Sequence, residues 1–181
     1  MKSSLGLIEV SSIPKGIAIL DNIIKKVEVD VLKARSICPG KYMILVGGNT
    51  SCIRMAVDAA NKLGQRFIIK SNVINNLNSQ VLSAIKGNIK PQNINALGII
   101  ETKNAISSIL IADMVWDASE VEIIKIKLGN GVGGKGILAF TGDIASVKNA
   151  MEYYKYKKEV HKAIIDQEII TSPNITTINS I

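Results

Sequence analysis

The sequence predicts an α+β protein built from two tandem ferredoxin-like units, each an antiparallel sheet flanked by helices. Three observations predict it: the chain repeats itself, each copy reads as β-α-β-β-α-β, and in each copy two strands meet at a hairpin turn. Residues 4–35 align with 96–127 at an offset of 92, where Leu5, Gly6, Ile8, Glu9, Ile17, Ile19, Asp21, Glu28, Val29 and Lys33 recur as Leu97, Gly98, Ile100, Glu101, Ile109, Ile111, Asp113, Glu120, Val121 and Lys125. Two residues are then inserted, and Gly40, Lys41, Gly48 and Ala56 recur as Gly134, Lys135, Gly142 and Ala150. Shared periodicity alone would preserve polarity but not these identities, so the copies are two versions of one domain, residues 1–90 and 91–181.

Each element follows from local chemistry. Leu5–Val10 and Leu97–Thr102 are short apolar runs with the character of buried strands. Ser11 or Ser12 ahead of Pro14 marks a helix start, since a first-turn proline loses no hydrogen bond. Ile17, Leu20, Ile24 and Val27 recur at three- to four-residue spacing and predict the core face of that helix. Residues 29–37 alternate and are rich in β-branched residues, residues 42–46 are apolar, and Cys38-Pro39-Gly40-Lys41 joins them as a hairpin. Asn49 or Thr50 caps a second helix to about Leu63, residues 67–74 form the last strand, and Asn78 caps a short helix through Ile85. Lys86–Asn95, with Gly87, Pro91 and three Asn, is the linker. The tail from Thr171 to Ile181 is polar and predicts an arm or a frayed end.

Composition excludes several classes. The 181 residues include 22 Lys or Arg against 15 Asp or Glu, a formal charge of +7, with 47% hydrophobic and 20% charged. That is an ordinary globular composition. No run approaches the ~20 apolar residues of a membrane span, and Glu9 interrupts the segment where a signal peptide needs an apolar core. No membrane partner and a cytosolic, cytoplasmic location are therefore expected. Cys38 and Cys52 are the only cysteines and His161 the only histidine, so neither a disulfide framework nor a metal site built by one chain is expected. The basic stretch Lys155–Lys162, interleaved with Glu159, predicts a solvated helix face.

Motifs with apparent chemistry reduce on inspection. Gly129-Asn130-Gly131-Val132-Gly133-Gly134-Lys135-Gly136 satisfies G-x-G-x-x-G, and also G-x-x-x-x-G-K. Such loops hold phosphates only when they open a helix, whereas Ile137-Leu138-Ala139-Phe140 predicts a strand. A hairpin tip with positive φ angles is expected instead. With one histidine and no paired carboxylates, no catalytic residue is expected, and Glu9 and Glu101 read as structural partners of a lysine or a backbone amide. Tyr42, Phe67 and Phe140 are too scattered for stacking RNA bases, so no nucleic-acid partner is expected. Cys52, in an opening helical turn, reads as core. Cys38, at a hairpin tip, reads from one chain alone as a small turn residue.

Ala96-Leu97-Gly98-Ile99-Ile100-Glu101-Thr102-Lys103 and Gly142-Asp143-Ile144-Ala145-Ser146-Val147-Lys148-Asn149-Ala150 resemble the bacterial microcompartment shell domain. Leu5-Gly6-Leu7-Ile8-Glu9-Val10 and Gly47-Gly48-Asn49 carry the same pattern in the first copy. The whole resembles the tandem-domain shell proteins, whose trimers mimic six-domain hexagonal tiles. It is similar to the propanediol-utilisation type through Ser36-Ile37-Cys38-Pro39-Gly40-Lys41 and Gly131-Val132-Gly133-Gly134-Lys135. The resemblance implies a non-enzymatic homotrimer packing with other shell proteins around encapsulated enzymes. It implies a pore lined by Ile37, Cys38, Pro39, Gly40, Lys41, Gly131, Val132, Gly133 and Gly134. It further implies one [4Fe–4S] cluster per trimer on three Cys38 thiolates, with the fourth iron left to water or a small ligand. Lys41 and Lys135 at the loop bases are expected to be solvated or to offset charge near the pore. The tile-edge lysine of the family falls at Lys25 in the first copy, where the second copy has Asp117 beside Trp116. Two alternatives stand beside this: the same tile with a plain small-molecule pore, and a ferredoxin-like regulatory trimer binding an anion at the Gly-rich loop.

Overall fold

A computed structural model describes residues 4–87, 94–154 and 157–181. The chain divides into two compact units, Met1–Leu77 and Asn78–Ile181. The expected junction at residues 90 and 91 lies outside the described residues.

In the first unit, β1 (Ser4–Val10), β2 (Asp30–Ile37), β3 (Lys41–Gly48) and β4 (Ile68–Ile74) form one antiparallel sheet in the order β2-β3-β1-β4. Two helices, α1 (Ile13–Lys26) and α2 (Thr50–Gly64), pack on it, and a 3₁₀ turn, Gln65–Phe67, leads into β4. This is the predicted order of elements, and β1 lies at the centre with every residue buried. Ser12 caps α1, its hydroxyl accepting from the Lys15 amide, with Pro14 in the first turn. Such a cap contributes about 1 kcal/mol.

The core face of α1 differs in part from the expectation: Leu20 and Val27 pack on the core as expected, but Ile17 and Ile24 do not. Ile19 and Ile23 are buried with Ile8, Val10, Ile44 and Val46, and Gly16 is buried against Tyr42, while Ile17 and Ile24 are exposed. The helix carries two apolar stripes a quarter-turn or so apart. Gly16 selects between them, because a Cβ there would lie 2.5 Å from the Tyr42 Cβ, and only a glycine lets α1 come this close to β3. Cys52, expected in the core, is half-buried on the third residue of α2.

The second unit repeats the plan with α3 (Ser79–Lys86), β5 (Ala96–Thr102), α4 (Ala105–Ala118), β6 (Glu122–Leu128), β7 (Gly136–Gly142), α5 (Ile144–Tyr153), α6 (Lys158–His161), β8 (Ile164–Thr171) and α7 (Ile175–Asn179). Its sheet has the order β6-β7-β5-β8, again antiparallel. Asn78 caps α3 as predicted, accepting from the Gln80 amide, but α3 packs on α4 and β6 of this unit through Val81, Ala84 and Ile85. That cover explains why α4 is apolar on nearly every side, with eight buried residues in fourteen. The tail is ordered as a short helix, α7, capped by Asn174, and Lys125 donates to the Ile181 carbonyl. Within the expected basic face, Lys155 and Tyr156 lie outside the described residues.

Candidate functional site

The residues expected to line a pore sit at one end of each sheet, on the β2–β3 and β6–β7 hairpins. Ile37 and Lys41 close the first, leaving Cys38, Pro39 and Gly40 as an exposed three-residue tip with a cis Cys38–Pro39 bond. Gly40 has φ +74°, the left-handed region where a side chain is strained, and a Cβ there would meet nothing within 4 Å. Ile37 is buried beneath the tip, so the strand is anchored while Cys38 projects from it. Neither cysteine is in a disulfide.

In the second hairpin the two inserted residues turn the tip into a glycine loop. The Gly129 amide donates to Lys135 O (3.0 Å) and the Gly134 amide to Gly129 O (2.9 Å), closing the loop on itself. Gly129, Gly131, Gly133 and Gly134 all have φ between +60° and +79°. The loop runs into strand β7, as expected, so no helix N-terminus stands behind it to hold a phosphate. Gly131 and Gly133 are exposed and Val132 half-buried, whereas Gly134 is buried.

The repeated glutamates and lysines prove to be one device used twice. Lys41 Nζ lies 3.0 Å from Glu9 Oε1 and Lys135 Nζ 2.9 Å from Glu101 Oε1, each pair tying the central strand to the base of its hairpin. The glutamates are thus the structural partners foreseen. The lysines, expected to be solvated, are engaged, because the strand order puts β1 beside β3 and β5 beside β7. The pairs differ in burial. The Glu9 and Lys41 side chains are 0% and 18% exposed, those of Glu101 and Lys135 31% and 43%.

Lys25 and Asp117 occupy equivalent turns of α1 and α4. Lys25 pairs with Asp21 at 2.7 Å on an exposed face. In the second unit the corresponding residues are Asp113 and Asp117. Burial, reinforced by the Asp117 charge and opposed by a hydrogen bond from the Asn78 amide, raises the Asp113 pKa to about 6. Sequence reasoning missed this like-charge pair as an electrostatic feature, and the i, i+4 spacing of two aspartates was the available signal. Asp117 also borders a cleft of about 650 Å³ with Gln80, Asn95, Trp116, Glu120 and Asp143.

The BMC domain family matches this chain twice, over residues 4–77 and 96–173. The chain belongs to the bacterial microcompartment shell proteins. This shell protein is 29% identical to the bacterial microcompartment shell protein PduT of Citrobacter freundii, over 96% of this chain and 95% of that one. A crystal structure of a microcompartment protein from Desulfitobacterium hafniense superposes with a TM-score of 0.87 at 33% identity, covering 99% of each chain. The fused permuted hexameric shell protein of the RMM microcompartment shares the fold, with a TM-score of 0.64 at 19% identity over 89% of this chain and 86% of that one. A structural place in a multimeric shell is what the family assigns. No helix among the described residues is long and apolar enough to cross a membrane.

Proposed function

We propose that three copies of this shell protein close into a pseudo-hexameric tile, edge to edge with other shell proteins around encapsulated enzymes. Ile37–Lys41 and Gly131–Gly134 line its central pore, and three Cys38 thiolates hold one [4Fe–4S] cluster there. The observation that carries this reading is the exposure of Cys38 at the tip of a hairpin anchored by the Glu9–Lys41 pair. The donor set suits a shared site. Among the described residues no three His, Cys, Asp or Glu of one chain come together to hold a metal ion. A projecting thiolate from each of three symmetry-related copies supplies cysteine ligands to a cluster that one copy lacks. When bound, the cluster supplies one-electron chemistry at the pore, suited to passing electrons across the shell. The chain's own part is to keep the Cys38 thiol exposed, to hold the hairpin rigid, and to provide an open glycine rim in the second unit.

Anaerobic purification with iron and sulfide analysis tests this. About four iron and four sulfide per three chains, with visible iron–sulfur absorbance lost in Cys38→Ser, is the expected result. A colourless trimer after iron–sulfur reconstitution would leave the tile with a plain small-molecule pore and no cluster.

A further inference from the structure

The first unit leaves apolar surface uncovered where the second unit does not. Ile17, Ile24 and Val31 are 52%, 51% and 44% exposed, whereas their repeat counterparts Ile109 and Ile123 are fully buried and Trp116 is half-buried. The cover in the second unit is α3, seated on α4 and β6 by Val81, Ala84 and Ile85, with the Asn78 amide donating to the Asp113 carboxylate.

The repeat also has a counterpart of α3. Ile74 pairs with Leu5 as Ile170 pairs with Leu97, which sets Asn78 against Asn174 at a constant offset. The correspondence continues through the connection. Asn76 and Ser172 both take left-handed φ angles, +56° and +48°, and Asn78 and Asn174 both cap a short helix by accepting from the amide two residues on. Yet α7 buries none of its residues, although Ile178 and Ile181 stand at the positions of Leu82 and Ile85 and Ile175 is exposed. One face therefore lacks its helix, and one helix, held to its own unit by the hydrogen bond from Lys125 to the Ile181 carbonyl, buries none of its residues.

We infer that α7 of one copy docks on the α1–β2 face of the first unit of a second copy. It would cover Ile17, Ile24 and Val31 there, and Asp21 would accept a hydrogen bond from the Asn174 amide. Asp21 is the repeat counterpart of Asp113, and its Oδ2 already holds Lys25 at the rim of the same face. The contact is head to tail, using a different surface on each copy, so it propagates until rotation closes a ring. Thr177 and Ser180 replace Val81 and Ala84 on the docking side, so this contact buries less apolar surface than its counterpart. The inference deepens the trimer reading and rests on it, naming the segment that closes the ring.

Two measurements test it in the full-length chain. By light scattering, the wild type should have three times the 19.5 kDa chain mass. Ile17→Asp combined with Ile24→Asp should return it to the mass of one chain with an unchanged circular dichroism spectrum. In a Cys38→Ser, Cys52→Ser background, Asp21→Cys with Asn174→Cys should form disulfides between chains, giving covalent dimers and trimers on a non-reducing gel. A disulfide within one chain, or none, overturns the contact, and this readout decides the matter if the aspartate variant fails to fold. A ring that keeps its threefold mass in the aspartate variant overturns only the α7 contact and leaves the tile standing. A wild type of single-chain mass overturns the ring and the contact together.

Discussion

Lys41→Met and Lys135→Met are the same substitution at two copies of one site, and burial predicts that their costs diverge. The paired atoms lie 3.0 and 2.9 Å apart, so distance does not separate them. Glu9 is wholly buried, and removing Lys41 leaves its carboxylate without its cation in a medium that solvates charge poorly. Breaking such a pair costs about 3–5 kcal/mol. Glu9 has other interactions besides Lys41, which sets the expected loss at the lower end, about 3 kcal/mol. For a unit of this size that corresponds to a fall in Tm of roughly 12–24 °C. Glu101 and Lys135 are each about a third or more exposed, water compensates the lost partner, and the expected cost is about 0.5–1 kcal/mol. Differential scanning calorimetry gives the losses, and hydrogen exchange assigns them to β1–β3 or to β5–β7. Adding Glu9→Gln to Lys41→Met should recover more than half of the deficit by removing the buried charge. Equal losses at the two sites, or no recovery in the double variant, would refute the assignment of the cost to desolvation of Glu9.

Three further outcomes follow from the same structure. Asp113 keeps a proton in the folded state up to about pH 6 that the unfolded chain releases near pH 4, so its contribution to stability falls as pH rises through that window and is flat above it. Asp113→Asn should therefore stabilise the protein above pH 6 and leave it unchanged below pH 4. The full shift corresponds to ~3 kcal/mol, which partial exposure reduces to about 1 kcal/mol in denaturant titrations at the two pH values. Gly16→Ala places a methyl 2.5 Å from the Tyr42 Cβ, at the root of that side chain where it cannot swing away. The helix must lift from β3, at a cost of about 1–3 kcal/mol by chemical denaturation. Asp117→Lys rebuilds on α4 the Asp–Lys spacing that α1 already has. It should lower the Asp113 pKa in carboxylate NMR titrations and alter sheet or tube formation in assembly assays. Unchanged assembly would remove Asp117 from the tile edge.

Much of the site was legible because it is local. A hairpin tip follows from Cys38-Pro39-Gly40 between two apolar strands, and a strand after the Gly-rich loop follows from Ile137–Phe140. The caps at Ser12 and Asn78 need only a side-chain oxygen two or three residues from an amide. The failures share a cause. Ile17 and Ile24 keep perfect helical spacing, but so do Gly16, Ile19 and Ile23, and periodicity cannot say which stripe meets the sheet. Lys41 and Lys135 look solvated because their partners lie 32 and 34 residues away.

The repeated sequence by itself determined the two-unit plan, the order of elements and the exposed thiol at a turn, since each depends on contacts within a few residues or on comparing one copy with the other. Tertiary structure alone decided which helix covers which face. Val81, Ala84 and Ile85 make an apolar stripe that would suit either sheet, and only packing settles that it lies on α4 and β6. The same holds for charge: Asp113 and Glu9 are ordinary carboxylates in the sequence, and burial, a property of the whole fold, makes one harder to ionise and the other dependent on a distant lysine.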